Sequence, residues 1–458
     1  MIFIDNENNN NITDMAIYLK KFENHTRYEN YINGSDAILP NVSICTTEGD
    51  VHYNPSSPVP PTPRMDIITY TASAKLIQTT STGNTEYFHV NSFSGASGQL
   101  TMVSHSFENG IGIITFNGDI TKIGKYAFQS CNGLTSINIP NSITSIQGYA
   151  FRYCRVLASI NSNINGEFNL PNSIITINGS TFSGCQGLKN IIIPDSVTGI
   201  SSASFSGCSS LTSIEIPSGV TSIGNGAFDS CISLTSCTIG SGVTTIGEYA
   251  FRECSGLTNI DIPDSVTRID GNAFQYCTGL TSVTIGSGLT DIEYNILSYC
   301  YNLTKITVSN SNTTYDSRDN CNAIIQTSTN ALISGCKNTV IPSGVTSIGS
   351  QAFIGCSGLT SINIPDSVTS IGNSAFANCN SLASIEIPSG ITSIGNYAFS
   401  GCSGLTSTTI NATTPPTLGN NVFDNTNNCP IYVPSGSVET YKAASGWSNL
   451  ASRIQAIP

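Results

Sequence analysis

Glu215 and Asp261 stand 46 residues apart, at equivalent places in a sequence that keeps returning. A carboxylate pair is the minimum equipment of a glycosidase: one acid donates a proton while the other attacks or activates water. Two repeats on, at the spacing of neighbouring strands, such a pair lies roughly 10 Å apart, slightly beyond the separation an inverting enzyme uses. An open strand face also excludes no water, so it offers little means of raising one pKa. The four histidines, His25, His52, His89 and His105, all precede the repeats, which therefore lack a base of near-neutral pKa. No Cys-x-x-Cys pair occurs among the 16 cysteines, which argues against zinc. Gly110-Ile-Gly112 and Gly240-Ser-Gly242 lack the following helix that would hold a phosphate. Asp195, Asp264 and Asp366 recur in an Ile-Pro-Asp-Ser-Val turn, where capping the turn is the simpler role than a calcium ladder. The chemistry points away from an enzyme, and neither cofactor nor metal is expected.

The elements that hold these residues come from one repeated stretch, Ile216-Pro-Ser-Gly-Val-Thr-Ser-Ile-Gly-Asn-Gly-Ala-Phe-Asp-Ser-Cys-Ile-Ser-Leu234. Its cysteine falls at 131, 154, 185, 208, 231, 254, 277, 300, 356, 379 and 402, mostly 23 residues apart. A fixed period of this length predicts a solenoid whose turns cannot bury their apolar faces singly. Branched residues at spacing two, such as Ile214 and Ile216, predict a short strand with one buried side, ended by Pro217. Val220–Ile223 predicts a second extended piece. Ala227, Phe228, Cys231 and Leu234 recur at the spacing of an inward-facing helical turn. The expected fold is α/β: a leucine-rich-repeat solenoid of 23-residue repeats, with parallel short strands, helical turns, N- and C-terminal caps and a small N-terminal module. Stacked cysteines about 5 Å apart, with side chains pointing the same way, are expected to be reduced, buried thiols.

The string I-P-x-S-V-T-x-I-G-x-x-A-F-x-x-C-x-x-L-T-S-I, over roughly residues 116–410, resembles the BspA-like leucine-rich repeat family. The resemblance implies a solenoid and a general role in surface attachment, without naming a ligand.

Charged residues make up 10% of the chain, and the net charge of −12 disfavours nucleic acid or an anionic membrane as partner. No secretory signal peptide is visible, and no apolar stretch is long enough to insert in a membrane. The expected setting is an extracellular surface or a virion.

Residues 1–55, aromatic and charged (Tyr18, Lys20, Lys21, Phe22, Tyr28, Tyr31) and then Leu39–Cys45 and Val51–Asn54, read as an attachment module with a short helix at about 12–24 and one or two strands, and they resemble leader segments of virion-associated proteins of gut bacteriophages. Residues 56–63 (Ser-Ser-Pro-Val-Pro-Pro-Thr-Pro) form a stiff linker. Residues 64–116 are expected to cap the solenoid of 117–410, and residues 411–458, with a short helix around 437–445 and the lone Trp447, to close it. Eight extra residues, Asn161–Phe168, form a loop between Cys154 and Cys185. A larger insertion at about 309–336 holds Ala323-Ile-Ile-Gln326 and Ala331-Leu-Ile-Ser334, a predicted hairpin.

The predicted function is attachment without catalysis. A rigid, hydroxyl- and amide-rich surface would recognise a host or bacterial surface protein or glycan. Two settings compete, a phage tail or fibre, with residues 1–55 holding other virion proteins, and a cell-surface adhesin; a structural spacer is the further alternative. Asn138, Glu215, Asp261, Asn363 and Glu386 point outward from the presumed concave strands and are the candidate ligand-binding residues, with the hairpin as a rival. Tyr149, Tyr249, Tyr294 and Tyr397, read as sharing one repeat position, form a possible stripe, with half-buried packing as their simpler role.

Overall fold

The computed structural model describes residues 66–79, 87–89, 93–95, 98–160 and 170–458, with two short strand pairs before them. The chain divides into two units, Met1–Thr62 and Pro63–Pro458. In the first, Leu19–Phe22 pairs antiparallel with His25–Tyr28, so strand replaces the second half of the helix expected at 12–24. Cys45–Thr46 pairs with Gly49–Asp50. The remainder of that module, the linker at 56–63 and the 161–168 loop lie outside the described residues.

The larger unit begins with an antiparallel meander. Ile67–Ala72 lies between Ile111–Phe116 and Leu134–Asn138, with Met102–Glu108 on the outer edge. Phe93 lies 4.8 Å from Phe116 and 5.7 Å from Phe128, so an aromatic cluster covers the start of the repeat core.

Each repeat then makes one rung with three sides. The long strands, such as Ser213–Ile216, Ser236–Ile239, Asn259–Ile262, Ser282–Ile285 and Lys305–Val308, lie parallel and in register with their neighbours. Their alternation is strict: Ile214 and Ile216 are buried while Ser213 and Glu215 are exposed. The short strands, such as Ser222–Ile223, Thr245–Ile246 and Arg268–Ile269, stack parallel to close the second side.

The third side departs from the expected helical turn. In one rung the amides of Ala227, Asp229 and Cys231 donate to Gly224, Gly226 and Phe228 of the same rung, at 3.1, 3.1 and 3.2 Å. The alternate amides of Gly226, Phe228 and Ser230 donate to Glu248, Ala250 and Arg252 of the next rung, at 2.8, 2.8 and 2.7 Å. Each alternate N–H thus leaves the rung instead of closing an i→i−4 ring. Gly226 and Ser230 take left-handed φ of 59° and 58° to turn those amides along the solenoid axis. The rungs are therefore almost helix-free, and the α/β expectation is corrected to a β-solenoid. Val438–Ala443 is the one α-helix among the described residues.

Inside, identical side chains stack. The rings of Phe128, Phe151, Phe182, Phe205, Phe228, Phe251 and Phe274 follow one another at 5.2 to 5.6 Å, within 16° of parallel. Each is essentially fully buried, a contribution of roughly 2–3 kcal/mol per ring from apolar area. The thiols form a second ladder: Cys231 Sγ donates to Phe205 O at 3.2 Å, and Cys208, Cys254, Cys277 and Cys300 repeat the contact. Each of these carbonyls also accepts the amide of its own rung's cysteine, so the thiol takes up its second lone pair. Burial pushes the Cys208 and Cys300 thiols up to about 12 and the Cys231 and Cys254 thiols well above their ordinary value.

The stack is interrupted once. Ile296 and Leu297 stand where other rungs carry Ala-Phe, and the phenylalanine ladder resumes only at Phe353. The apolar core divides there into two clusters. Ala323–Gln326 and Ala331–Gly335 pair antiparallel, and the second strand joins the short-strand side through Ser347–Ile348. Ile324 lies in one core cluster, and Ile325 and Leu332 in the other. The hairpin is thus part of the wall, not a projecting arm. At the far end, Trp447 is fully buried against Phe423 and Tyr441, and its Nε1–H donates to Pro416 O at 2.8 Å.

Candidate functional site

All five candidate residues are exposed, and they fall into three places. Asn138 sits opposite Thr69 in the antiparallel start of the sheet, and its Nδ2 donates to Thr69 Oγ1 at 3.1 Å. Glu215 pairs in register with Thr238, and Asp261 with Thr284, followed by Thr307. Asn363 bridges to Glu386 on the next rung, past the interruption, and Glu386 accepts from Asn411 Nδ2 at 2.8 Å. The carboxylates of Glu215 and Asp261 have neither a hydrogen bond nor an ion pair among the described residues. The same outward row carries Ile192, exposed and apolar.

Other surface polar groups are already engaged. Thr235 donates both its amide and its hydroxyl to Thr212 O, at 2.8 and 3.0 Å, and Thr281 and Thr304 repeat this along one corner of the rungs. Thr221, Thr244, Thr267 and Thr290 do the same along the short strands. The threonine-rich surface is therefore largely self-satisfied, which narrows the polar groups left for a ligand to the outward strand row and the corners.

The tyrosines do not share one position. Tyr149, Tyr249 and Tyr397 precede the rung's alanine and take left-handed φ of 64°, 57° and 57°. Asn295, with φ of 60°, fills that position in its own rung, and Tyr294 stands one residue earlier, 56% exposed. A second tyrosine set, missed in the sequence, precedes the cysteine: the Tyr276 and Tyr299 rings stack at 4.5 Å, with Tyr301 edge-on to Tyr299 at 6.3 Å.

Charge on the rungs is mostly paired. Arg252 holds Asp229 of the preceding rung with two bonds, at 2.8 and 3.0 Å. Arg268 gathers Asp270, Asp291 and Glu293. Arg152 occupies the same repeat position as Arg252 but follows a rung with Gln129, and lies 5.3 and 4.5 Å from the Tyr149 and Tyr153 rings instead. Among the histidines, His105 is lowered to about 4 by burial and by Lys75, and meets Tyr70 OH at 2.8 Å. Among the described residues no cluster of three potential metal ligands forms, and no helix is long and apolar enough to cross a membrane.

A cavity of about 130 Å³ opens where the phenylalanine ladder breaks. It lies between the rung 295–300 and the rung 351–356, with Ile333–Cys336 of the hairpin along its wall.

The model of the BspA type leucine rich repeat region, in six copies, matches residues 86–166, 161–255, 244–331 and 323–445. The match begins after the first 55 residues and does not bear on their resemblance to virion proteins. Among solved structures, the chain is similar to a leucine rich cell surface protein from Faecalibacterium prausnitzii, at 30% identity and a TM-score of 0.50. That match covers 78% of this chain and 90% of the other. A leucine-rich repeat protein from Bacteroides ovatus is 26% identical, covering 77% of this chain and 90% of the other, at a TM-score of 0.48. No curated protein matches the chain.

Proposed function

The chain belongs to the BspA type leucine-rich repeat family, and from that premise we propose that it is a non-enzymatic attachment protein displayed at a surface. Its long-strand row binds a host protein or glycan. The observation that carries this reading is a contrast between two parts of the rung: the Glu215 and Asp261 side chains are exposed with no partner among the described residues, while the threonines at the corner before the long strands, Thr235 and Thr281, are engaged with the scaffold. Side chains that do nothing for the fold are free to recognise something else. The Faecalibacterium relative's designation as a cell surface protein supports the location.

The test is a combined Glu215→Ala, Asp261→Ala and Glu386→Ala variant, assayed for attachment to cultured epithelial cells. Its unfolding midpoint should match that of the unchanged protein, because exposed side chains contribute little. Attachment should fall several-fold. Full attachment by the triple variant, with loss on changing the exposed hairpin turn Thr327–Asn330 or removing residues 1–55, would relegate the strand face to scaffold.

A further inference from the structure

The cavity at the interruption differs from every other inter-rung gap in its hydrogen bonding. In the preceding rung the amides of Asn272, Phe274 and Tyr276 donate to Tyr294, Ile296 and Ser298 of the next, each at 3.0 Å. In the rung 295–300 the equivalent donors are Asn295, Leu297 and Tyr299. Only Tyr299 keeps a bond, to Ile354 O at 3.3 Å. For Leu297 the hairpin takes the acceptor, because Gly335 N–H occupies Ala352 O at 2.8 Å. The amides of Asn295 and Leu297 find no acceptor among the described residues, although both residues line the cavity. Asn295 Oδ1 is buried there with no hydrogen-bond partner. Two donors and an acceptor thus meet in one small space, and buried polar groups left unpaired cost about 1–3 kcal/mol each.

The rest of the lining says what kind of molecule suits these groups. Leu297, Ile333 and Phe353 give apolar wall, and the one carboxylate, Glu293, is held by Arg268 and by the Gly271 amide. No charge is left for an ion. Apolar wall, with Tyr294 and Phe353 as its aromatic residues, and paired donor and acceptor sites together match the C–H face and hydroxyls of a neutral sugar ring.

We propose that this cavity is a binding site for a neutral hexose unit, separate from the long-strand row. A sugar hydroxyl accepts from the Asn295 and Leu297 amides and another donates to Asn295 Oδ1. The inference does not depend on attachment through Glu215 and Asp261, and the triple variant above should bind sugar normally.

The experiment uses the full chain with galactose, glucose, mannose and N-acetylglucosamine at millimolar concentration. Saturation-transfer NMR should show contact with at least one of them. Hydrogen exchange read by mass spectrometry should find residues 293–298 less protected than 270–275 without sugar, and slower to exchange with it. Asn295→Gly keeps the left-handed backbone but removes Oδ1, and should weaken binding roughly tenfold, the worth of one buried hydrogen bond. If that variant fails to fold, the exchange difference in the unchanged protein decides. Absence of transfer from all four sugars, undiminished binding by a folded Asn295→Gly, or no sugar effect on residues 293–298 would each overturn the proposal.

Discussion

The thiol ladder makes a prediction that separates two reasons for cysteine at the rung position. Cys231 is fully buried in mid-solenoid, with its Sγ 3.2 Å from Phe205 O. Replacing it by alanine removes one methylene-sized apolar group and leaves a small void, about 1–2 kcal/mol together. Serine keeps a donor, and were hydrogen bonding the purpose of the thiol, serine would be the milder change. The geometry says otherwise. A C–O bond is shorter than a C–S bond, so the hydroxyl draws back beyond the 3.2 Å at which Sγ meets Phe205 O, while hydroxyl bonds favour about 2.7–2.8 Å. A buried, poorly bonded hydroxyl adds about 1–3 kcal/mol to the lost apolar burial. Serine should therefore cost about 2–4 kcal/mol, clearly more than alanine. The assay is urea unfolding followed by circular dichroism, comparing midpoints at unchanged slope. A serine variant as stable as the alanine variant, or more so, would refute the view of the thiol as chiefly a space-filling apolar group.

Other outcomes follow from the same contacts. Thiols whose folded values are raised hold stability that is complete below the unfolded thiol range, near 8.5, and is lost as pH climbs toward the folded values, about 12 for Cys208, Cys300 and Cys356. Thermal midpoints should accordingly drop steeply between about pH 9 and 11, and a flat profile there would contradict the buried ladder. Gly242→Ala would place a Cβ 1.9 Å from Ser218 O, and should cost about 1–3 kcal/mol in urea unfolding. Gly436→Ala, with open space around it, should be near neutral in the same assay. Removing residues 1–63 should leave the solenoid folded, whereas removing 411–458 strips Trp447 and Tyr441 from the last rung and should cause aggregation, measurable by light scattering. Equal tolerance of the two truncations would count against an end-covering role for Trp447.

Much of this was legible because a repeat states its own period. The cysteine spacing and the Ile-x-Ile alternation at 214 and 216 locate the buried strand positions, and the same alternation puts Glu215 and Asp261 outside. The third side misled because the spacing of Ala227, Phe228 and Cys231 reports only which side chains turn inward. It carries no information on where the Phe228 and Ser230 amides go, and here they leave for the next rung. Tyr294 was misaligned for a similar reason: only the backbone shows that Asn295 takes the left-handed position. The cavity was hidden more deeply. The 56-residue spacing of Cys300 and Cys356 announces an insertion, but not that Gly335 would claim the acceptor that the Leu297 amide would otherwise meet.

That interruption also bears on how the protein would carry load. An attached surface protein is pulled, and within the solenoid the inter-rung hydrogen bonds run along the stacking direction, so each interface shares tension among its own bonds. Between the rungs of Phe251 and Phe274 the turn side contributes three, from Tyr249, Phe251 and Glu253; between the rungs of Leu297 and Phe353 it contributes one. Tension along the stack is therefore borne least evenly at a single interface, the one where the core is also divided. Stretched, the solenoid would part there first, leaving two blocks of rungs that each keep their own phenylalanine stack, and a tether of hairpin residues long enough to absorb the jolt before either block unravels.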